Sequence, residues 1–270
     1  MNKYCIIGKG FIFERHRQSI EATGGQVVMT CDIDPTKNPD YTDWELMFDS
    51  EAFKEVDTVV ICTPNYLHHK IAVEALKRGK KVLCEKPLSI DGVEGLEGVN
   101  TVLQLRYSPE VNKIKEWQPN EVSIFLDMKR GEDYWKGWKG NKEHSGGLLY
   151  NLGIHYIDLL IYLLGEPLEI KEANGSNQHS FNTVIKFKDN KIGTLHIEAG
   201  FIEPRRNLVA YKGDERRELN ISNKENLSYE DLHTAVYEHL IKGDGIPLSE
   251  ARKSLELVEQ LLKHNGNKGS

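Results

Sequence analysis

The sequence predicts an α/β chain in two parts, a first half over residues 1–100 with a parallel sheet and a second over residues 101–270 with a mostly antiparallel open sheet. Three observations predict it. Up to about residue 100, short and wholly apolar runs alternate with amphipathic stretches, the pattern of strands covered by helices on both faces. Glycines follow the first apolar run at once. Beyond residue 100, β-rich runs follow one another with no helix between most of them, as antiparallel neighbours do.

In the first half the runs are YCIIG, QVVMTCDID, VDTVVICTP and KVLCEKP, and the helix-period stretches are FERHRQSIEATGG and LHHKIAVEALKRGK. Gly24-Gly25 and Gly79 end the two helices, because glycine accepts the left-handed backbone of a helix terminus. The glycines of SIDGVEGLEGVN argue against a long helix there. The second half reads as strands in TVLQLRYS, EVSIFLDMKR, FNTVIKFKDNKIGTLHIEAG and RNLVAYKG, with Asp189-Asn190 turning a hairpin. Helices are expected in GLLYNLGIHYIDLLIYLLG, ENLSYEDLHTAVYEHLIKG and LSEARKSLELVEQLLKH, and the closing NGNKGS is expected to lie outside the fold. No internal repeat is present.

Composition excludes several partners. A net charge of -6, from 35 basic and 41 acidic residues well mixed along 270, leaves no polybasic arm for nucleic acid or an anionic membrane. MNKYCIIGKG runs from a short apolar stretch into glycines, unlike a signal peptide, and Ile157 to Leu164 is interrupted by Asp158 and too short to cross a bilayer. A cytoplasmic protein is the expectation. Cys5, Cys31, Cys62 and Cys84 lie in or beside strand-like runs without CxxC spacing, which predicts buried reduced thiols and no metal site.

Gly8-Lys9-Gly10 sits between a strand and a helix, where glycines let the backbone approach a pyrophosphate at a helix N-terminus. Phe13 replaces the third glycine of that fingerprint, which implies a wider or displaced turn. Asp32 closes the second strand about 20 residues after the glycines, where a carboxylate accepts from both ribose hydroxyls and repels the extra phosphate of NADP; the alternative is a turn cap with Asp34-Pro35. The third strand ends in Cys62-Thr63-Pro64-Asn65 and the fourth in Glu85-Lys86-Pro87, so both reach the carboxyl edge at which open α/β sheets bind ligands. A lysine closing a wholly apolar strand is poorly explained by packing.

The GxG, the CTPNYLHHKIAVEALKRGKKVLCEKP block and SGGLLYNLGIHYIDLL together resemble the Gfo/Idh/MocA sugar oxidoreductases over nearly the whole chain. Arg15-His16, TVLQLR, WKGNKEHSGG, Asn151 and EDLHTAVYEHLIKGDG resemble the branch that oxidises UDP-N-acetylglucosaminuronic acid at the 3-hydroxyl in surface-polysaccharide biosynthesis, the WlbA/WbpB type. The resemblance implies a Rossmann domain with NAD held by Gly8, Gly10, Phe11, Ile12, Asp32, Thr63, Pro64, Asn65, His68, Glu85, Lys86 and Gln104. It implies Lys86 and His155 at the substrate, with Asn151 where many members have Asp. It also implies a sheet that often serves as a subunit interface, hence a homodimer or homotetramer, and NADH recycled by 2-oxoglutarate. The link between Pro87 and TVLQLR is shorter than the family's usual helix and strand.

Oxidation of an alcohol needs a group that takes the hydroxyl proton near neutral pH, and histidine meets this unshifted. Asn151, His155 and Asp158 fall at i, i+4 and i+7, on one helical face, so Asp158 is a catalytic candidate that orients His155. Lys86 either stabilises the alkoxide as a cation or loses its proton in a dry site and acts as the base. Arg106, Tyr134, Trp138, Lys139 and Asn151 are the candidates for holding an anionic nucleotide-sugar substrate, with Arg15 and His16 near the cofactor. Arg205-Arg206 reads as a solvated loop, His68-His69 as a cofactor-edge contact, Trp44 and Phe48 as core, and KGDERRELN as a solvated hairpin. A free-sugar or polyol dehydrogenase and a ligand-sensing regulator of the same fold are the competing readings.

Overall fold

A computed structural model of the chain describes residues 1–200, 203–221 and 229–266, with the backbone alone for residues 229–231. In chain order the strands are β1 (Lys3–Ile7), β2 (Gln26–Cys31), β3 (Thr58–Ile61), β4 (Lys81–Cys84), β5 (Val99–Thr101), β6 (Glu121–Lys129), β7 (Pro167–Ser176), β8 (Ser180–Phe187), β9 (Ile192–Gly200), β10 (Arg205–Lys212) and β11 (Glu215–Asn220). The helices are α1 (Phe13–Ala22), α2 (Trp44–Phe48), α3 (His68–Lys77), α4 (Pro109–Trp117), α5 (Glu132–Lys136), α6 (Lys142–Ser145), α7 (Ile154–Leu164), α8 (Tyr229–Lys242) and α9 (Leu248–Gly266). The chain divides into two units, Met1–Gln104 with Tyr229–Ala251, and Leu105–Ser228 with Arg252–Ser270.

The first unit is built on five parallel strands in the order β2-β1-β3-β4-β5. Its central strands are buried on both faces, β3 at every residue, which is why they read as unbroken apolar runs rather than alternations. Ile7 pairs with Cys31 and Ile61, and Ile61 with Cys84, so the four strands finish at one edge and the turns after them form a common rim. Helix α8 belongs to this unit and packs on α1. That return differs from a simple division at residue 100. The TVLQLRYS stretch also differs: Val99–Thr101 adds a fifth parallel strand through Val82↔Val99, and Gln104–Tyr107 is a 3-10 turn.

The second unit is built on six strands in the order β11-β10-β6-β9-β8-β7, antiparallel except for the β6–β9 pair. Strict alternation along β6, β8 and β9 sends Val122, Ile124, Leu126, Phe181, Ile185, Leu195 and Ile197 inward. Helix α7 packs on β6 and β9 with Ile157, Leu160 and Leu164 fully or nearly fully buried. The hairpin between β8 and β9 turns at Asp189 and Asn190, both at φ 57°, as tight hairpin turns require of their central residues. KGDERRELN forms the β10–β11 hairpin.

Helix α4 escapes a reading for hydrophobic period because it is short, yet its start is signposted. Ser108 accepts the Val111 N–H through its hydroxyl, and Pro109 follows at the first helical position. Arg205-Arg206 opens strand β10 rather than a loop, and Arg205 Nε donates to Asp127 at 2.8 Å. Residues 142–164 are long and apolar enough to cross a membrane by length and composition, but 78% of the apolar window is buried within the fold, as in a core helix. The expected ENLSYEDLHTAVYEHLIKG helix is present from Tyr229, with its first residues outside those described. Of NGNKGS, the first two residues end α9, and 267–270 likewise lie outside the described residues. Cys5, Cys31 and Cys84 are buried and Cys62 half-buried, all as free thiols; burial raises every one, Cys31 to about 12.

Candidate active site

At the rim of the parallel sheet, Gly8 holds φ +100°, and a Cβ on it would lie 2.5 Å from the Cys62 carbonyl oxygen. The first turn therefore packs directly on the turn after β3, and only glycine fits. Gly10 faces open space, where a Cβ meets nothing within 4 Å, so the backbone is approachable from outside. Helix α1 starts beside it with no side chain capping its first N–H groups, which leaves an anion-accepting terminus. Phe13, the first helical residue, lies half-buried with Lys9 Nζ 5.3 Å from its ring. Phe11 is exposed, with Arg15 5.2 Å from its ring.

Asp32 ends the adjacent strand and accepts the Lys9 N–H at 2.6 Å, the Asp34 N–H at 2.9 Å and Lys37 Nζ at 2.9 Å. Burial alone would raise its pKa; these donors outweigh burial and hold it below the usual carboxylate range, so it is ionised. The turn-capping and ribose-binding readings are thus compatible, provided that Lys37, which is exposed enough to swing away, yields to the ribose.

Thr63 and Gln104 give the clearest test of fit to a dinucleotide. Thr63 Oγ1 and Gln104 Oε1 are both buried and, among the described residues, find no hydrogen-bond partner. Buried polar atoms left in this way cost about 1–3 kcal/mol each, and a bound cofactor offers donors and acceptors that would meet them. Asn65 is buried in the 3-10 turn that follows Pro64. His68 has a different role from the one expected. Its ring nitrogens lie 2.7 Å from the Pro87 carbonyl and 2.9 Å from the Thr63 carbonyl, so the ring is wedged between the turns after β3 and β4, and burial favours its neutral form, which donates to one of the two. Glu85 is turned inward and Lys86 follows it at the rim, half-buried. His16, expected near the cofactor, is fully buried and bonded to Glu85 and Tyr237.

In the second unit, Tyr134, Trp135, Lys139, Ser145, Asn151 and Asn177 are among the residues that line a pocket of about 250 Å³. Asn151 Nδ2 donates to the Tyr134 hydroxyl at 2.8 Å, and Lys139 Nζ lies 5.2 Å from the Tyr134 ring. Burial, and then the neighbouring Arg130, lower the Lys139 pKa. Trp135 lines this pocket; Trp138, the tryptophan expected from sequence, instead lies under Lys139 at 5.8 Å. Asn177 gave no sequence signal, yet it holds the SGG loop by accepting the Leu149 N–H at 2.8 Å and donating to the Gly146 carbonyl at 3.0 Å. Gly147 is required there, since a Cβ would lie 2.4 Å from the Asn177 side chain.

Asn151 lies in a π-helical turn, Leu149–Gly153, that runs into α7 and widens the helix before the half-buried His155. Such turns concentrate at functional sites. Asp158, expected to orient His155, pairs with Arg106. Its two oxygens take a bidentate pair from Arg106, Nε at 2.8 Å and Nη2 at 2.7 Å, and both residues are buried. The pair gives each of these two expected site residues a partner that meets its charge in the interior.

Residues 2–105 match the Gfo/Idh/MocA description "Oxidoreductase family, NAD-binding Rossmann fold", and residues 112–203 match "Oxidoreductase family, C-terminal alpha/beta domain". Among characterised relatives, the 2,7-anhydro-N-acetylneuraminate hydratase of Escherichia coli (strain K12) is 30% identical over 58% of this chain and 49% of its own length. The glucose-6-phosphate 3-dehydrogenase of Bacillus subtilis (strain 168) is 28% identical over 71% and 61%. The matches thus span about half to three fifths of those relatives. Among solved structures, the WlbA (WbpB) dehydrogenase from Thermus thermophilus, in complex with NAD and α-ketoglutarate, superimposes with a TM-score of 0.80 at 27% identity over 94% of this chain and 93% of its own. The same enzyme with NAD and UDP-GlcNAcA gives 0.80 at 26%, over 95% and 93%.

Two outcomes follow. Asp32→Ala weakens NAD about tenfold, as expected for loss of a charged hydrogen-bonding partner, and narrows the preference over NADP, measured by titration of each nucleotide; unchanged affinities would remove Asp32 from the site. Arg106→Ala lowers unfolding free energy by about 3–5 kcal/mol through the stranded Asp158, whereas Arg106→Met with Asp158→Leu recovers most of it. Urea melts distinguish them, and an unaffected single variant would deny the pair its structural role.

Proposed function

The chain belongs to the Gfo/Idh/MocA oxidoreductase family, and from that premise we propose that it is an NAD-dependent dehydrogenase acting on a secondary hydroxyl of an anionic sugar. The finer reading is oxidation at C3 of the nucleotide sugar UDP-N-acetyl-2-amino-2-deoxyglucuronate in surface-polysaccharide biosynthesis. The observation that carries it is the pocket of the second unit, where a half-buried ammonium and amide groups converge beside an aromatic wall. That lining suits a sugar ring bearing a carboxylate, and its volume lies just below the ~300–1,000 Å³ of typical ligand pockets, enough for the ring rather than the whole nucleotide. The likeness to the Thermus enzyme over nearly the full chain supports the same reading.

NAD, when bound, accepts the hydride. The protein's part is to take the hydroxyl proton and hold the charge that develops on oxygen. His155 is the base in this assignment, since imidazole takes a proton near neutral pH without a shift. Lys86 stabilises the oxygen, and Asn151 and Tyr134, already bonded to each other, orient the ring. Gly8, Gly10 and the start of α1 hold the pyrophosphate, and Asp32 holds the ribose. Recycling of the reduced cofactor by 2-oxoglutarate, a homodimer or homotetramer, and a cytoplasmic location complete the proposal.

Mixing the protein with NAD and UDP-N-acetylglucosaminuronic acid is expected to raise NADH absorbance, with 2-oxoglutarate returning it to baseline. Lys86→Ala and His155→Ala each cut the rate by about 10²–10⁴-fold, as loss of proton transfer or charge stabilisation does. Turnover of inositol or a free hexose instead would shift the assignment to a polyol dehydrogenase. Silence with every sugar despite NAD binding would leave a ligand-sensing regulator. Sedimentation as a monomer at micromolar concentration would remove the oligomer.

A further inference from the structure

Within the first unit, two histidines distant in sequence flank one carboxylate. His16 on α1 and His233 on α8 are fully buried, and their rings meet edge to face at 5.4 Å. His16 Nε2 lies 3.0 Å from Glu85 Oε1, and His233 Nε2 lies 3.7 Å from the same oxygen. His16 Nδ1 lies 2.7 Å from the Tyr237 hydroxyl, one helical turn beyond His233. The other carboxylate oxygen, Oε2, accepts the backbone N–H of Lys86 at 3.2 Å.

The partners fix where the protons sit. Burial favours the neutral imidazole at His16 and keeps Tyr237 protonated far above its usual range. Burial would also raise Glu85, but the hydrogen bond from His16 and the nearby His233 outweigh it and hold it well below the usual carboxylate range, as an anion. One arrangement satisfies all three: the Tyr237 O–H donates to Nδ1, and Nε2–H donates to Glu85, a tautomer assigned here from its partners. The same three donors could surround a metal ion. At 3.0 Å, however, the His16–Glu85 contact is already a good hydrogen bond, so that pair is held by a proton.

We propose that His16, His233 and Tyr237 are positioning residues that act through Glu85 on Lys86. An anion in the interior persists only where its oxygens are bonded. Here one oxygen is bound by His16, with His233 packed beside it at 3.7 Å, and the other accepts from the main chain of the lysine, so the carboxylate transmits their placement to the rim. Helix α8, which comes from the far end of the sequence, supplies two of the three groups. The proposal rests on the assignment of Lys86 to the reacting site, and it adds that this lysine is held in register from inside the unit.

The test is the acylation rate of the Lys86 amine, followed by peptide mass spectrometry in the full-length native protein, His16→Ala, His16→Gln, His233→Ala and Tyr237→Phe, with exposed Lys113 as the internal reference. His16→Ala is expected to change the Lys86 rate about tenfold with Lys113 unmoved, and His16→Gln, whose amide still donates to Glu85, to return it to within about twofold. His233→Ala and Tyr237→Phe give smaller changes of about threefold; Tyr237→Phe loses only one oxygen and so remains testable if His16→Ala does not fold. In turnover, His16→Ala lowers kcat about 10–100-fold while the KM for NAD moves less than about threefold. A folded His16→Ala or Tyr237→Phe protein with native Lys86 labelling would overturn the proposal, as would one equivalent of a transition metal in the purified protein. Labelling needs no substrate, so a protein that oxidises no sugar refutes the dehydrogenase reading and leaves this test intact.

Discussion

A carboxylate inside a protein must have its charge met on every side, and Glu85 meets that requirement with groups drawn from the whole length of the first unit. Its partners are His16 at the start of α1, His233 on α8 and the main chain of Lys86. Bringing these together stabilises the closed unit, because a largely buried ion without partners costs several kcal/mol. The return of α8 to the parallel sheet, which a boundary at residue 100 would not suggest, therefore has a physical reason beyond apolar packing. The same convergence leaves Lys86 at the rim where the turns after β1, β2 and β3 gather.

The second unit solves a comparable problem differently. Arg106 and Asp158 neutralise each other in the interior, and Asn177 ties down the glycine loop, so that the π turn can widen the helix at Asn151 without loosening its start. The pocket side chains Tyr134, Lys139 and Asn151 then stand on an anchored frame. The buried pair holds the frame, and the pocket groups lie largely on the loop and short helices before α7.

Much of this was legible in the sequence because the relevant signals are local. Wholly apolar runs marked the parallel strands, alternation marked β6, β8 and β9, and Asp189-Asn190 marked their hairpin. The glycine loop, Asp32 and the lysine at the rim followed from where strands end. What was missed depends on long-range partners. Asp158 shares a helical face with His155 in the sequence, yet the partner that binds both its oxygens, Arg106, lies 52 residues away. His16 looked like a cofactor contact until α8 placed Tyr237 against it, and His68 until its two carbonyls were seen. Trp135 and Trp138 are three residues apart, and only the loop's path tells which one lines the pocket. Asn177 carries no motif at all; its importance arises from the loop that it faces.

The central claim is hydride transfer from a sugar carbon to the nicotinamide, and isotope transfer tests it most directly. The protein would be incubated with NAD and UDP-N-acetylglucosaminuronic acid carrying deuterium at C3, and the reduced cofactor weighed by mass spectrometry. The account predicts NADH heavier by one deuterium. Unlabelled NADH would place the oxidation at another carbon, and a failure to form any NADH, with NAD bound and the sugar intact, would contradict the dehydrogenase assignment itself.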